Sequence, residues 1–223
     1  MAYTRGNSKQ IIVGAAAMFV SACNEFDYTN ASPKLPDFTA GTSYKETLSS
    51  SSVVRNVGYT MNGLELQFQP DFGEVAVDQL LDAAKLYKQG MKVNMVTAFA
   101  EATLENLLIA IAAPKSSLAN DTQLKNPLEA GTVNYADVFD VKSGEIGECP
   151  VERALLAIGP GTGDCAAGNS IERIYVAYRA LSIENVTVSA KRDAPSMFEV
   201  SFRLLPANNG SYGKIVDRLV ATS

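Results

Sequence analysis

The sequence predicts a mostly antiparallel β fold, a β-sandwich or barrel with one flanking α-helix. Three observations carry that expectation. Segment after segment alternates apolar and polar residues with the two-residue period of a half-buried strand. Only one segment, from Ala102 to Pro114, carries apolar residues at helical spacing. Clusters of Gly, Pro, Asn and Ser separate the alternating runs, as strand connections do. The 223 residues suffice for one large domain, and one β domain over 1–223 is expected.

The first apolar run, Ile11 to Val20, admits two readings. Arg5 and Lys9 precede it, and Val20-Ser21-Ala22-Cys23 closes it, which is the layout of a secretory signal. Those four residues also resemble a lipoprotein cleavage box, with the lipid on Cys23. A transmembrane helix needs ~20 apolar residues, so the run is too short to span a membrane. In the other reading the run is a strand, because Asn24-Glu25-Phe26-Asp27-Tyr28 alternates polar and apolar residues. Residues 29–52 are rich in Ser, Thr and Pro and read as a long loop or arm.

Strands resume at Val53. Asn62-Gly63 is a favoured hairpin turn, after which Leu64, Leu66 and Phe68 share one face and Glu65, Gln67 and Gln69 the other. Pro70-Asp71 is expected to start a second turn. Beyond it Val75 and Val77 alternate with Glu74, Ala76 and Asp78. Lys92 to Glu101 continues as strand. In the helix, Thr103 caps the start, Pro114 marks the stop, and Leu104, Leu107, Leu108 and Ile111 form the core-facing stripe. Residues 114–150 form an irregular polar insertion with one short strand at 133–141. The last third reads as five strands, at 151–159, 171–184, 185–192, 197–206 and 211–221. Phe198, Val200, Phe202 and Leu204 face inward in the fourth.

Composition narrows the function. The formal net charge of −5 disfavours a surface that grips nucleic acid. The chain has no histidine, which removes the commonest general base and every Ser-His or Cys-His nucleophile. Carboxylate or lysine chemistry would be needed for catalysis, and no enzyme is expected. Three cysteines are too few and odd in number for a disulfide framework, so free thiols are expected, Cys149 and Cys165 being the plausible pair if one forms. The loop Gly159 to Asn169 lacks the following helix and the Lys-Ser/Thr of a phosphate loop and reads as a hairpin connection. Glu65, Asp71, Glu74 and Asp78 lack the tight spacing of a metal loop and read as a solvated face. Tyr175, Tyr178, Phe198 and Phe202 interleave with Arg173, Arg179 and Arg203, but strand alternation makes them core and surface rather than a base-stacking platform. No catalytic residue, cofactor or metal is expected.

The order of parts resembles the major tail tube proteins of tailed bacteriophages. The resemblance rests on "VGYTMNGLELQFQPDFGEVAVDQ", "VNMVTAFAEATLENLLIAI" and "MFEVSFRLLPANNGSYGKIVDR". It covers about 53–111 and 171–221 and leaves 114–150 unmatched. Members of that family fold as a β-sandwich flanked by a helix and form hexameric rings that stack into a hollow tube. The resemblance implies a sheet from about Val57 to Gln79, with 92–101 or C-terminal strands, that joins neighbours into one inner barrel. Six subunits giving about four strands each at ~4.8 Å spacing make a barrel roughly 37 Å across, enough for a duplex roughly 20 Å wide. Closure also removes free strand edges.

On this reading Ile11 to Phe26 is an early strand of the mature protein. Glu65, Gln67, Gln69, Glu74 and Asp78 face the lumen and let double-stranded DNA pass without sticking. The implied partners are copies of the chain and other tail proteins: the tape measure, the terminator, a baseplate or tip, and in contractile tails a sheath. The implied location is the virion tail, assembled in the host cytoplasm, with no membrane partner. The alternative is a lipid-anchored periplasmic β-sandwich binding protein that begins at Cys23.

Overall fold

A computed structural model of the chain describes residues 12, 14–22, 54–76, 78, 82–113, 118–121, 136–139, 141, 150–162, 170–188, 192–193 and 195–220. The elements are β1 (Ala17–Ala22), β2 (Val54–Asn56), β3 (Thr60–Val75), β4 (Lys85–Phe99), α1 (Leu104–Ala110), β5 (Leu118–Asp121), β6 (Ala136–Phe139), β7 (Arg153–Pro160), β8 (Ser170–Ser182), β9 (Phe198–Leu205) and β10 (Gly213–Val220). Eight strands form one sheet in the order β2-β1-β7-β8-β9-β4-β3, with β10 also paired to β8. Every pairing is antiparallel. The expected class, mostly antiparallel β with one helix, is the class observed.

Strand β8 lets one sheet act as two layers. Its Ala177 pairs with Leu155 of β7 on one edge and Gly213 of β10 on the other. Three residues on, Ala180 pairs with Arg153 of β7 and Leu204 of β9. The second edge of β8 thus serves β10 along its first half and β9 at its end. The layer β1-β7-β8 packs on the layer β9-β4 through Met18, Val20 and Leu155 on one side and Met95, Phe99 and Phe202 on the other. Ile109 and Ala110 of α1 close this core, and the rings of Phe99 and Phe202 lie 6.3 Å apart. Pleat alternation sends Phe19, Leu156, Ile174 and Tyr178 to a second buried cluster on the other face of β1-β7-β8.

The first apolar run contributes β1, which lies between β2 and β7 with Phe19 fully buried. The hairpin expected at Asn62-Gly63 is not there. Both residues adopt positive φ, 63° and 73°, inside β3, where they form an irregularity between the Met61–Ala98 and Leu64–Thr97 pairs. The Thr97 hydroxyl donates to the Gly63 carbonyl at 2.9 Å and fixes it. The local preference for left-handed backbone is satisfied by a bulge rather than a turn.

Pro70-Asp71 does not turn either. β3 runs through it, with Pro70 opposite Met91. Among the described residues β3 ends the sheet, and an edge strand tolerates proline because the missing N–H points away from its partner. The shift falls on β4 instead, where Gln89 is the extra residue between Gly90 and Lys88.

Helix α1 begins as expected: Thr103 caps it by accepting from the Asn106 N–H at 3.2 Å. Its buried residues are Asn106, Leu108, Ile109 and Ala110, whereas Leu104 and Ile111 are exposed. The expected stripe is therefore rotated, because the Asn106 amide fits between backbone carbonyls that need a donor. Residues 185–188 of the expected third late strand are not strand. The other four late strands are β7, β8, β9 and β10, and the short strand expected at 133–141 is β6. The glycine-rich segment joins antiparallel β7 and β8, as a hairpin connection does. Residues 29–52, most of 114–150, residues 163–169 and the three cysteines lie outside the described residues.

Candidate assembly surface

The most distinctive feature is where the sheet stops. β9 pairs with β4 only as far as Leu204 opposite Val93. Beyond that point, among the described residues, Lys85 to Lys92 of β4 pairs only with β3, and the two strands continue as a two-stranded ribbon. An isolated hairpin is marginal in water, and unpaired edges are templates for another chain. This ribbon also exposes large apolar side chains: Phe68 is 56% accessible, Phe72 55% and Leu86 60%.

Register fixes which side chains share a face. Leu64, Leu66, Phe68, Pro70, Phe72 and Glu74 lie on one face, because β3 is regular from Leu64 onward. Glu65, Gln67, Gln69 and Asp71 lie on the other, and Gln67 donates to Glu65 at 3.0 Å along that face. Glu74 therefore does not share the face of Glu65. It sits with Phe68 and Phe72, opposite Leu86, because no turn at Pro70 resets the alternation. Asp78 lies past the end of β3 in a turn, so strand alternation does not place it. Asp71, read from sequence as a turn residue, joins the polar face instead. The unbroken apolar run at even positions, Leu64 through Phe72, was the signal for it.

The polar face is not purely acidic. Cross-strand pairs put Lys92 beside Gln69 and Asn94 beside Gln67, and β9 adds Arg203 opposite Asn94 and Glu199 opposite Ala98. The carboxylates considered as a metal or acid–base cluster are thus spread over two faces and a turn. Among the described residues no group of His, Cys, Asp or Glu is arranged to hold a metal ion.

The apolar face of the ribbon borders a cleft of about 640 Å³. Leu66, Phe68 and Met91 line one side, and Tyr175 of β8 with Tyr212 and Ile215 the other. The Tyr212 hydroxyl donates to the Met91 carbonyl at 2.7 Å and ties the two sides together. Lys88 also lines the cleft, whereas Lys214 pairs with Val176 and lies on the opposite face of β10; among the described residues no carboxylate lines the cleft. Lys88 Nζ lies 3.7 Å from Met91 Sδ, so its stem follows the apolar wall.

Two positions beyond Tyr175 and Ile215 on the same face, Arg173 of β8 makes a forked pair with Asp217 of β10, one arm at 2.6 Å. The hydrogen bond from Arg173 holds the Asp217 carboxyl below its usual range, and the same contact raises the Arg173 pKa. Of the arginines that interleave with aromatics, Arg179 is likewise paired, through Glu152 at 2.7 Å. Tyr178, Phe198 and Phe202 are buried, so they are core.

The chain matches no protein-family model and no curated protein. No helix among the described residues is long and apolar enough to cross a membrane.

Proposed function

We propose that the protein is a structural subunit that assembles with copies of itself into a hollow tube, as a major tail tube protein does, and that double-stranded DNA passes through the bore. The observation that carries this reading is the ribbon. Strands β3 and β4 run past the end of the sheet with edges that no other described strand pairs and with exposed apolar side chains, which is costly in a monomer and useful in a ring. Edge pairing between neighbours would continue the sheet from subunit to subunit. The face with Glu65, Gln67, Gln69 and Asp71 would then line the bore, and the face with Phe68 and Phe72 would turn toward protein. The reading places the protein in a virion tail, beside other tail proteins, and assigns it no catalytic activity.

The lipid-anchored alternative meets an obstacle in β1. Maturation at Cys23 would remove Ala17–Ala22, and with it Met18, Phe19 and Val20 from both apolar clusters. The partner edge of β7 would be left open. The mass of the native protein separates the two readings, since an N-terminus upstream of Ala17 supports the tube and a lipidated Cys23 supports the anchor. Negative-stain microscopy of the purified full chain tests the proposal directly. Hollow rings or tubes are expected, and a chain that stays monomeric at all concentrations rejects it.

A further inference from the structure

Strands β9 and β10 lie end to end along one edge of β8. Leu205 closes β9 opposite Arg179, and Gly213 opens β10 opposite Ala177. Residues 206–212 therefore stand opposite one residue, Tyr178, whose N–H donates to the Tyr212 carbonyl at 3.1 Å. Their own bonds fold them into a compact loop. The Ala207 N–H donates to the Ser211 carbonyl at 2.9 Å, the Gly210 N–H to the Ala207 carbonyl at 2.8 Å, and the Ser211 N–H to Asn209 Oδ1 at 2.9 Å. Ala207 is buried, and Arg179 Nη1 donates to the Pro206 carbonyl at 3.0 Å. The loop is thus anchored at both ends, and it carries Tyr212 across the cleft to β4.

The Tyr212 hydroxyl reaches β4 at a defined rung. In a strand, the N–H and C=O of successive residues turn to alternate edges. The Ala100 N–H donates to the Tyr59 carbonyl beside β3, so even-numbered residues of β4 turn to β3 and odd-numbered ones, as far as Met91, turn to β9. Pro70 agrees, because it has no N–H to give and stands opposite Met91. Val93 pairs with Leu204 in the last rung that β9 supplies. Met91 holds the next rung. Among the described residues the Tyr212 hydroxyl, rather than a strand N–H, occupies its carbonyl, at 2.7 Å.

We propose that Tyr212 is a catch on this edge. It keeps β4 from accepting a strand of a second copy until that strand's N–H displaces the hydroxyl from the Met91 carbonyl. An unpaired edge beside exposed Phe68 and Leu86 is a template for another chain. A side chain on its first rung competes with any strand that would extend the ladder of β9. This rests on the tube reading for the identity of the partner, and it adds a residue that restrains the pairing.

The test is Tyr212→Phe in the full chain, which removes the hydroxyl and keeps the ring that packs on the core. Net, a neutral hydrogen bond shifts an equilibrium by about two- to tenfold. The concentration at which the chain associates, read by sedimentation, should fall by about that factor. Near-UV circular dichroism checks that the associating species is folded. Hydrogen exchange locates the contact, since the Met91 amide turns to the same edge and should exchange more slowly in the associated variant than in the dissociated one. Tyr212→Leu carries the same expectation and serves if the phenylalanine variant fails to fold. An unchanged or raised threshold, in a wild type that forms rings, would overturn the catch and leave the tube reading standing. A lower threshold with the Met91 amide still exchanging as in the dissociated chain would also overturn it, because another edge would be in use. A wild type that stays monomeric while Tyr212→Phe associates through Met91 would uphold the catch and reject the tube. If neither chain associates at any concentration, both fall.

Discussion

At the scale of single residues, Asn106 shows how one polar side chain orients an element. It is fully buried, yet its amide donates to the Val57 and Glu101 carbonyls at 2.9 Å each. Its Oδ1 accepts from Arg55 Nη2 at 2.8 Å, and Arg55 also pairs with Glu105 at 2.8 Å. Replacing it with leucine keeps the volume but takes the donor from two carbonyls and leaves Arg55 Nη2 with the Thr103 hydroxyl at 3.4 Å. Asn106→Leu should cost about 3 kcal/mol, read as a lower urea midpoint at unchanged slope, since an unsatisfied buried group costs ~1–3 kcal/mol. A shift under ~0.5 kcal/mol would mean that the carbonyls find other donors. The Arg173–Asp217 pair gives a pH test. The folded pKa of Asp217 is depressed, so its contribution is present above the unfolded carboxylate range near ~3.9 and is lost as pH falls through the folded value. The side chain is 41% exposed, so solvent screening limits the effect to about 0.5 kcal/mol. Asp217→Asn should therefore be slightly less stable than wild type at pH 7, and the difference should vanish in strong acid. A difference that grows on acidification would contradict the assigned pair.

At the scale of elements, the ribbon separates what folds the subunit from what assembles it. Phe72 and Leu86 are more than half exposed and lie beyond the last β4–β9 pair. Phe72→Lys with Leu86→Lys should leave the melting temperature of the dissociated subunit within about a degree or two, in keeping with surface changes of ±0.5 kcal/mol. Sedimentation should nevertheless show loss of rings. Rings that persist would move the interface elsewhere. The same element shows why the sequence was readable only in part. Alternation in β3, β4 and β9 follows from one buried face, and one buried face is enough to write a period of two. The punctuation misled, because Asn62-Gly63 and Pro70-Asp71 state a local backbone preference that tertiary structure meets in another way. A bulge absorbs the first, and the edge position of β3 absorbs the second. The cleft left no local trace at all, since the contact that ties it together joins Met91 to Tyr212, 121 residues apart.

At the scale of the whole molecule, the proposed assembly turns one face of the sheet into the wall of a bore. On that face Glu65, Asp71 and Glu199 stand against Lys85, Lys92 and Arg203, so carboxylates and cations are equal in number in each subunit. Six copies per ring and many rings repeat this charge pattern along the path of the DNA. Salt screens it over ~8 Å at physiological strength, so the field acts close to the wall, where phosphates would otherwise dwell. Tipping this balance toward cations should matter, because each cation that meets a phosphate releases counterions and holds the duplex. Glu65→Lys with Asp71→Lys leaves a single carboxylate, Glu199, facing five cations. Both positions are exposed, on the face turned away from the side chains of Leu64 and Leu66 that pack on the core, so tubes of normal length should still form. Ejection of DNA from particles carrying the double variant should slow or stall, and added salt should restore it in proportion as phosphate contacts weaken. Ejection at the wild-type rate in low salt would show that these residues do not line the bore. Failure of the variant to form rings would show instead that this face is packed against protein, and the roles of the two faces of the ribbon would then have to be exchanged.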